Sequence, residues 1–146
     1  MAIPSALLLE IVTPDRSLIR EEVDEVVIPG SEGELGVLPG HTPLLTSLKI
    51  GELWYRQGQE RHYLAIAFGF AEVLPDRVTV LADVGERARE IDIHRAERAK
   101  QRAEQLLAQA PPPHLTAVDL DIERARIALL KSLLRLQVAG RVRTRA

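Results

Sequence analysis

The sequence predicts an α+β protein, with an antiparallel β-sandwich or barrel in its first half and a helical hairpin in its second. Up to about residue 85, eight or more short β-prone runs alternate with turns that contain proline or glycine. Beyond that point helix-forming residues dominate, and glycine is absent until Gly140. Two helical patterns follow, separated by the three prolines at 111–113.

The composition is that of a globular protein, and it narrows the classes of function. The chain has 146 residues, of which 46% are hydrophobic and 27% charged, and its formal net charge is −2. A nucleic-acid partner usually requires a basic face, so nucleic acid is not expected as a partner. Because the chain has no cysteine, disulfides, thiol catalysis and cysteine-based zinc sites are excluded.

Seven runs before residue 85 show the strand pattern most clearly. They cover residues 6–13, 17–29, 44–49, 51–56, 61–67, 68–74 and 78–82. The first is predicted to be a strand and not a signal peptide, because no basic region precedes it and Glu10 interrupts it. No stretch approaches the ~18 apolar residues of a membrane span, so membrane association is expected only through a partner.

The stretch 28–44, IPGSEGELGVLPGHTPL, is the most constrained part of the sequence. It places four glycines and three prolines around a short apolar run, a pattern typical of tight turns that join short strands. A phosphate-binding loop would end in G-K-[ST] and lead into a helix, whereas here Gly40 is followed by His41, Thr42 and a strand-like run. We therefore interpret the stretch as a rigid turn system with an exposed face.

Catalysis has little support in the sequence. Glu32 and Glu34 could form a carboxylate pair, but no base accompanies them, and solvated turn charges or contacts to a partner are the better interpretation. The four histidines are scattered, and none forms an i, i+4 pair, so no metal site is expected. An enzyme is accordingly the least favoured class of function.

The second half predicts two helices that need a packing partner. The first begins at Glu86 and has a narrow face of small residues, mostly alanines, while the second begins near Val118 or Asp119 and ends at Ala139 with Gly140 as its C-cap. Asp119 or Asp121 is the expected N-cap of the second helix. We place the domains at 1–86 and 87–146.

The segment 91–96, IDIHRA, allows two interpretations. It is a plausible helix start, because Asp92 lies where an acidic residue favours the helix dipole. Alternatively, Asp92 and Arg95 combine with basic residues of the second helix to form a small anion site, since guanidinium groups suit phosphate.

Five segments carry a resemblance to the epsilon subunits of bacterial F-type ATP synthases. GSEGELGVLPGHTPLLTSLKIGEL at 30–53 is close to the signature run of that family. The remaining four match in order: VTPD at 12–15, FGFAEVLPDRVTVLAD at 68–83, IDIHRA at 91–96 and ARIALLKSLLRLQVA at 125–139. The resemblance covers essentially the whole chain.

The resemblance implies a fold and a set of partners. The fold is an N-terminal antiparallel β-sandwich of about ten strands in two sheets, followed by a C-terminal two-helix antiparallel hairpin. The function is that of a non-catalytic central-stalk, or rotor, subunit that requires no cofactor and couples rotation between the c-ring and the catalytic head. The sandwich would bind the gamma subunit and rest on the c-ring, on the cytoplasmic face of the bacterial plasma (inner) membrane. The hairpin would extend to the alpha/beta head and inhibit ATP hydrolysis.

The resemblance also implies site residues. A regulatory ATP site, known in some bacterial members, corresponds here to Ile91, Asp92, Arg95, Ala96, Lys131, Arg135 and Glu86. Lys131 departs from the family pattern, because many members have arginine there and lysine lacks the bidentate fork. The residues facing the c-ring and gamma correspond to Glu34 and His41.

A second class of function stays open from the sequence. The chain could be a stand-alone β-sandwich binding module whose helical tail mediates oligomerisation. Affinity for a gamma subunit distinguishes this alternative from the rotor hypothesis.

Overall fold

The computed structural model describes residues 2–109 and 116–143, of which residues 116–119 and 143 are described by their backbone alone. The chain divides into two compact units, Met1–Ala88 and Arg89–Ala146. The strands of the first unit are β1 (Leu7–Val12), β2 (Ser17–Val23), β3 (Glu25–Gly30), β4 (Gly33–Val37), β5 (Leu44–Gln57), β6 (Glu60–Val73) and β7 (Arg77–Arg87). A 3-10 turn follows at Ala88–Glu90, and the second unit contains α1 (Ile93–Ala108) and α2 (Thr116–Arg143).

The strands form one continuous sheet in the order β2-β1-β7-β6-β5-β3-β4. All neighbours are antiparallel except β1 and β7, which are parallel. β2 and β4 lie at opposite edges, yet Val23 of β2 and Val37 of β4 belong to the same buried cluster. The sheet therefore folds over onto itself as a two-layered sandwich, which confirms the predicted α+β class.

The described residues contain fewer and longer strands than the predicted number of about ten in two sheets. The runs 44–49 and 51–56 form the single strand β5, and the runs 61–67 and 68–74 form most of β6. Gly51 stays within β5, where it pairs with Ile66, because a Cβ at that position would lie 2.5 Å from the Cβ of Pro29. This glycine permits close packing and does not end the strand.

The predicted strand 17–29 is divided at Asp24 into β2 and β3. The Asp24 backbone N–H donates to the carbonyl of Arg56 over 2.8 Å, and its carboxylate accepts from the N–H of Gly58 over 2.6 Å. The Arg56 guanidinium lies 3.5 Å from the carboxylate of Asp24 and 3.3 Å from that of Glu25. These bonds tie the corner to the β5–β6 hairpin, so the chain turns where the sequence had suggested one extended run.

The helices differ from the prediction at their ends. Residues up to Arg87 belong to β7, so α1 begins at Ile93 and not at Glu86. α2 begins at Thr116, which places Asp119 and Asp121 inside the helix, and the helix continues through Gly140 to Arg143. The predicted N-cap and C-cap of this helix are therefore wrong, and the prolines at 111–113 lie outside the described residues. Neither helix, over the residues described, is long and apolar enough to span a membrane.

Candidate functional site

The turn between β3 and β4 is anchored to the neighbouring strand. The N–H of Ser31 donates to the carbonyl of Ser47 in β5 over 2.9 Å, and the two serine hydroxyls are 2.5 Å apart. Because β5 is held on both sides by β3 and β6, the tip of the β3–β4 hairpin is fixed in position. The predicted turn system is present, and it leads into a strand and not into a helix.

Glu34 and His41 both lie at the surface of this region, on separate segments. Glu34 is exposed on β4, beside the hairpin tip and opposite Pro29 of β3. His41 lies in the loop after β4, where its Nδ1 is 2.7 Å from the carbonyl oxygen of Thr42. The loop is held by the N–H of Gly40, which donates to the carbonyl of Pro75 over 2.8 Å. Both side chains are therefore presented by ordered backbone.

Three large apolar side chains lie on the outer face of the sheet, opposite the core. Leu45 of β5 is 70% exposed, Phe70 of β6 is 58% exposed and Leu81 of β7 is 55% exposed. Phe70 pairs directly with Leu81 on one side and with Ser47 on the other. Leu45 lies two residues from Ser47 on the same face of β5, so we call these three residues the outer-face cluster.

The outer-face cluster has a polar border. The next row across the sheet pairs Leu45 with Glu72 and Glu72 with Thr79, and Thr79 pairs with Glu10 of β1. The Glu10 carboxylate lies 3.4 Å from the guanidinium of Arg20. An apolar centre with a charged rim is the anatomy of a protein-binding surface.

The outer-face cluster was not predicted from the sequence. A strand pattern in a sequence does not reveal which strands pair or in which register. The available signal was the alternation in β6, where Phe70 and Glu72 have the opposite parity to the buried Ala71 and Val73.

The IDIHRA segment forms the start of α1. Asp92 is the N-cap, and its carboxylate accepts a hydrogen bond from the N–H of Arg95 over 3.1 Å. Ile91 and Ala96 are buried, whereas the Arg95 side chain is exposed. The helix-start interpretation is confirmed for Asp92, and this role leaves Arg95 as the exposed cation of the motif.

Lys131 and Arg135 lie one turn apart on α2, and both are partly buried. The two helices pack antiparallel, since the end of α1 and the start of α2 line a common groove. Continued along the helices, this register brings the start of α1 level with the turns of α2 that carry Lys131 and Arg135. Glu86 belongs to β7 of the first unit, where it pairs with Ala65.

The groove between the helices has a volume of about 720 Å³. Its apolar lining consists of Ala99, Ala103, Leu106, Ile122, Ala125 and Ala128. The predicted alanine face of the first helix is thus the packing face, although Leu106 is largely exposed. Small side chains let the helices approach but leave unfilled space between them.

A polar cluster surrounds Tyr55 at the end of β5. Its hydroxyl donates to the carboxylate of Glu21 over 3.4 Å, and the Gln57 amide donates to the same oxygen over 3.2 Å. The His62 ring stacks on Tyr55 with centroids 4.9 Å apart. Burial, followed by the charge of Glu21, raises the pKa of Tyr55 from 10.0 to about 12, against the opposing charge of Arg87.

This cluster does not form a catalytic constellation, because the tyrosine is held protonated and donates to a carboxylate. Within residues 2–109 and 116–143, no three histidine or acidic side chains come together in a way that could hold a metal ion.

Two family models match the chain. The beta-sandwich domain of the ATP synthase delta/epsilon chain matches residues 6–88, and the long alpha-helix domain of the same chain matches residues 89–140. The ATP synthase epsilon chain of Syntrophobacter fumaroxidans is 52% identical over 131 residues, which are 90% of this chain and 93% of the relative. That of Nitratidesulfovibrio vulgaris is 49% identical over 135 residues, or 92% and 96% of the two chains.

Two solved structures are also similar to this chain. A chain in the cryo-EM structure of the Euglena gracilis mitochondrial ATP synthase (OSCP/F1/c-ring, rotational state 1) is similar with a TM-score of 0.74 and 28% identity, over 91% of this chain and 82% of that one. A chain of the Tetrahymena thermophila mitochondrial ATP synthase central stalk and c-ring shares the fold, with a TM-score of 0.60 and 13% identity over 91% and 96% of the two chains. The chain therefore belongs to the ATP synthase delta/epsilon family, whose epsilon chains are non-catalytic subunits of the rotary enzyme.

Proposed function

We propose that this chain is the rotor subunit that links gamma to the c-ring, and that its helical unit restrains ATP hydrolysis. The observation that carries the proposal is the outer-face cluster, formed by Leu45, Phe70 and Leu81. Each of these side chains is more than half exposed, and they come from three neighbouring strands. Contiguous exposed apolar side chains on a rigid sheet are typical of a protein interface.

Gamma is the partner that fits this surface best. The solved structures with the same fold include a central stalk, and the family resemblance assigns the sandwich to gamma. The sheet beneath the cluster has a core of fully buried aliphatic side chains, among them Leu9, Ile11 and Ile66. A surface that is already ordered loses little free energy to ordering when it binds. A rigid surface of this kind is also what a stalk requires to transmit torque.

The c-ring contact is assigned to the β3–β4 turn and the following loop. Glu34 and His41 are presented there by backbone that is hydrogen-bonded to Ser47 and Pro75. A polar, ordered turn suits contact with the polar loops of a membrane ring. The chain would in this way be a peripheral subunit on the cytoplasmic face of the bacterial plasma membrane.

Binding to purified gamma tests the docking face. Phe70→Ala should weaken binding by at least tenfold, because truncation of a hot-spot aromatic residue at the centre of an interface costs about 2 kcal/mol or more. Leu106→Ala is the matched control, since Leu106 is comparably exposed but lies on α1. Titration calorimetry measures both, and a stable monomer without affinity for gamma would refute the rotor hypothesis in favour of a stand-alone binding module.

The inhibitory role is assigned to the helical unit. α2 is apolar on more than one side, because Leu120, Leu130 and Leu133 are exposed while Val138 and Ala125 are buried. A helix with apolar residues on two faces can exchange one set of neighbours for another at small cost. We therefore assign the exposed leucines to contacts with the alpha/beta head in an extended state.

Deletion of residues 89–146 in the assembled ATP synthase tests this role. ATP hydrolysis should rise while assembly with gamma is retained, since the first unit carries the docking face. Unchanged hydrolysis would show that the helical unit does not inhibit this enzyme, and loss of assembly would show that it contributes to docking.

A regulatory ATP site is assigned to the start of α1 and the adjoining turns of α2. Arg95 is exposed there, and Lys131 and Arg135 add positive charge on the partner helix. Saturable ATP binding by the isolated chain should weaken in Arg95→Ala and be unaffected in Arg98→Ala, which removes an equally charged, exposed side chain one turn along. Lys131→Arg should tighten binding, because arginine restores a bidentate contact to phosphate. No binding at millimolar ATP would rule out the site.

A further inference from the structure

The backbone of β6 is strained at one residue. Phe68 has a φ of +62°, the only positive φ of a non-glycine residue in the described part of the chain, and Gly69 follows with a φ of +114°. A bulky side chain is rare in this region, because its Cβ crowds the carbonyl that follows. The penalty is roughly a factor of ten in the folding equilibrium constant.

The positive φ angles of Phe68 and Gly69 have different explanations. A Cβ on Gly69 would lie 1.9 Å from the carbonyl oxygen of Leu81, so only glycine fits. At position 68, a glycine would adopt the same φ without strain. A phenylalanine at a conformation that disfavours it is the kind of backbone outlier that motivates a functional hypothesis for its ring.

The register places Phe68 next to the outer-face cluster. On one side Gly69 pairs with Leu48 and Ala67 with Ile50, which leaves Phe68 level with Lys49 of β5. On the other side Gly69 pairs with Ala82 and Ala67 with Val84, which leaves Phe68 level with Asp83 of β7. Lys49 and Asp83 are exposed, Phe68 is partly exposed, and Phe70 follows two residues later.

We propose that Phe68 is a specificity-determining contact of the docking face, presented beside Phe70 by the strained turn of β6. The proposal rests on the proposed function, because it takes gamma as the partner of this face. Because Phe68 is level with Lys49 and Asp83 on the neighbouring strands, it fits a partner surface in which an apolar side chain is bordered by charges of both signs.

Two variants of the full chain separate the backbone from the ring. Phe68→Ala removes the ring and keeps the strain, whereas Phe68→Gly removes both. In urea unfolding followed by Trp54 fluorescence, Phe68→Gly should have an unfolding equilibrium constant about tenfold smaller than Phe68→Ala. Its stability should equal or exceed that of the unaltered chain. Both variants should bind purified gamma about tenfold more weakly, and equally so.

The outcomes that overturn the proposal are distinct. Unaltered gamma affinity in Phe68→Gly would show that the ring makes no contact with the partner. A Phe68→Gly chain tenfold or more less stable than the unaltered one would show that the ring is core packing. If Phe70→Ala weakens binding and the Phe68 variants do not, this inference alone fails. If none of them weakens binding, the docking face itself is wrong.

Discussion

The sandwich unit and the helical unit bury different kinds of side chain. The fully buried side chains of the first are mostly large aliphatics such as Leu7, Ile28 and Leu53. The second buries alanines (Ala96, Ala103, Ala125 and Ala139) beside only a few larger side chains, namely Ile91, Leu134 and Val138. A buried leucine or isoleucine contributes about 1.5–3 kcal/mol and a methyl group far less. The sandwich unit is therefore built to hold a single shape, whereas the helical unit can be released from its packing at low cost.

The largest expected effect is a core truncation in the sandwich. Leu9→Ala should lower the free energy of unfolding by about 3 kcal/mol, because Leu9 is fully buried among neighbours that cannot collapse into the cavity. Ala103→Gly, the helical counterpart, should cost about 1 kcal/mol. Fluorescence of Trp54, the sole tryptophan, reports the first unit, and circular dichroism at 222 nm is dominated by the second. Equal losses in the two variants would contradict the comparison.

The next effect is a loss of sandwich stability at alkaline pH. The pKa of Tyr55 is about 12 in the folded chain and 10.0 when unfolded, so the fold retains the proton more tightly. Its contribution is complete below pH 10 and is lost between pH 10 and pH 12, by up to about 2 kcal/mol.

Urea midpoints between pH 9 and pH 12 measure this loss. Tyr55→Phe should flatten the decline, whereas Tyr63→Phe should not, since Tyr63 is less buried. If the two variants follow the same curve, the alkaline loss comes from groups other than Tyr55.

A smaller effect concerns the start of α1. Asp92→Ala should destabilise the helical unit by about 1 kcal/mol, because the N–H of Arg95 loses its side-chain acceptor. Thermal melting at 222 nm measures the shift, and Asp121→Ala, which removes an exposed carboxylate inside α2, is the control. A larger shift in melting temperature for Asp121→Ala than for Asp92→Ala would show that the Asp92 cap is not what stabilises the helical unit.

The smallest expected effect is at the ion pair on the surface of α1. Lys100 Nζ lies 3.9 Å from Glu104 Oε1, at i and i+4, and both side chains are more than a third exposed. Glu104→Gln should change stability by less than about 0.5 kcal/mol, and the change should vanish at high salt. A loss comparable to that of Asp92→Ala would mean that surface charge, and not the cap, dominates this helix.

Much of the fold follows from local sequence, and its errors have physical causes. β1 and the helix start at Asp92 carry local signals of strand pattern and capping, and both were predicted. Gly51 was predicted to interrupt a strand and Gly140 to end a helix. Both predictions were wrong, because tertiary contacts decide whether a strand or helix continues through a glycine. Gly51 accommodates Pro29, and Gly140 follows the buried Val138 within a helix that continues past it.

The site was harder to predict than the fold. Glu34 and His41 were predicted from a contiguous sequence signature, and their contact with a partner stays a prediction. The outer-face cluster joins residues of three strands, and only the register of β5, β6 and β7 brings them together. The strain at Phe68 is likewise invisible in a strand pattern, since phenylalanine is a favoured strand residue.

The parallel pairing of β1 and β7 has a consequence for synthesis on the ribosome. β1 lies between β2 and β7, so one side of β1 stays open until residues 77–81 have emerged. Until then the nascent chain exposes unpaired backbone groups that invite association with other chains. Closure also joins segments nearly seventy residues apart, as in Leu8 with Arg77, which slows folding. The helical unit, which follows β7 along the chain, therefore emerges when the sandwich is only just able to close.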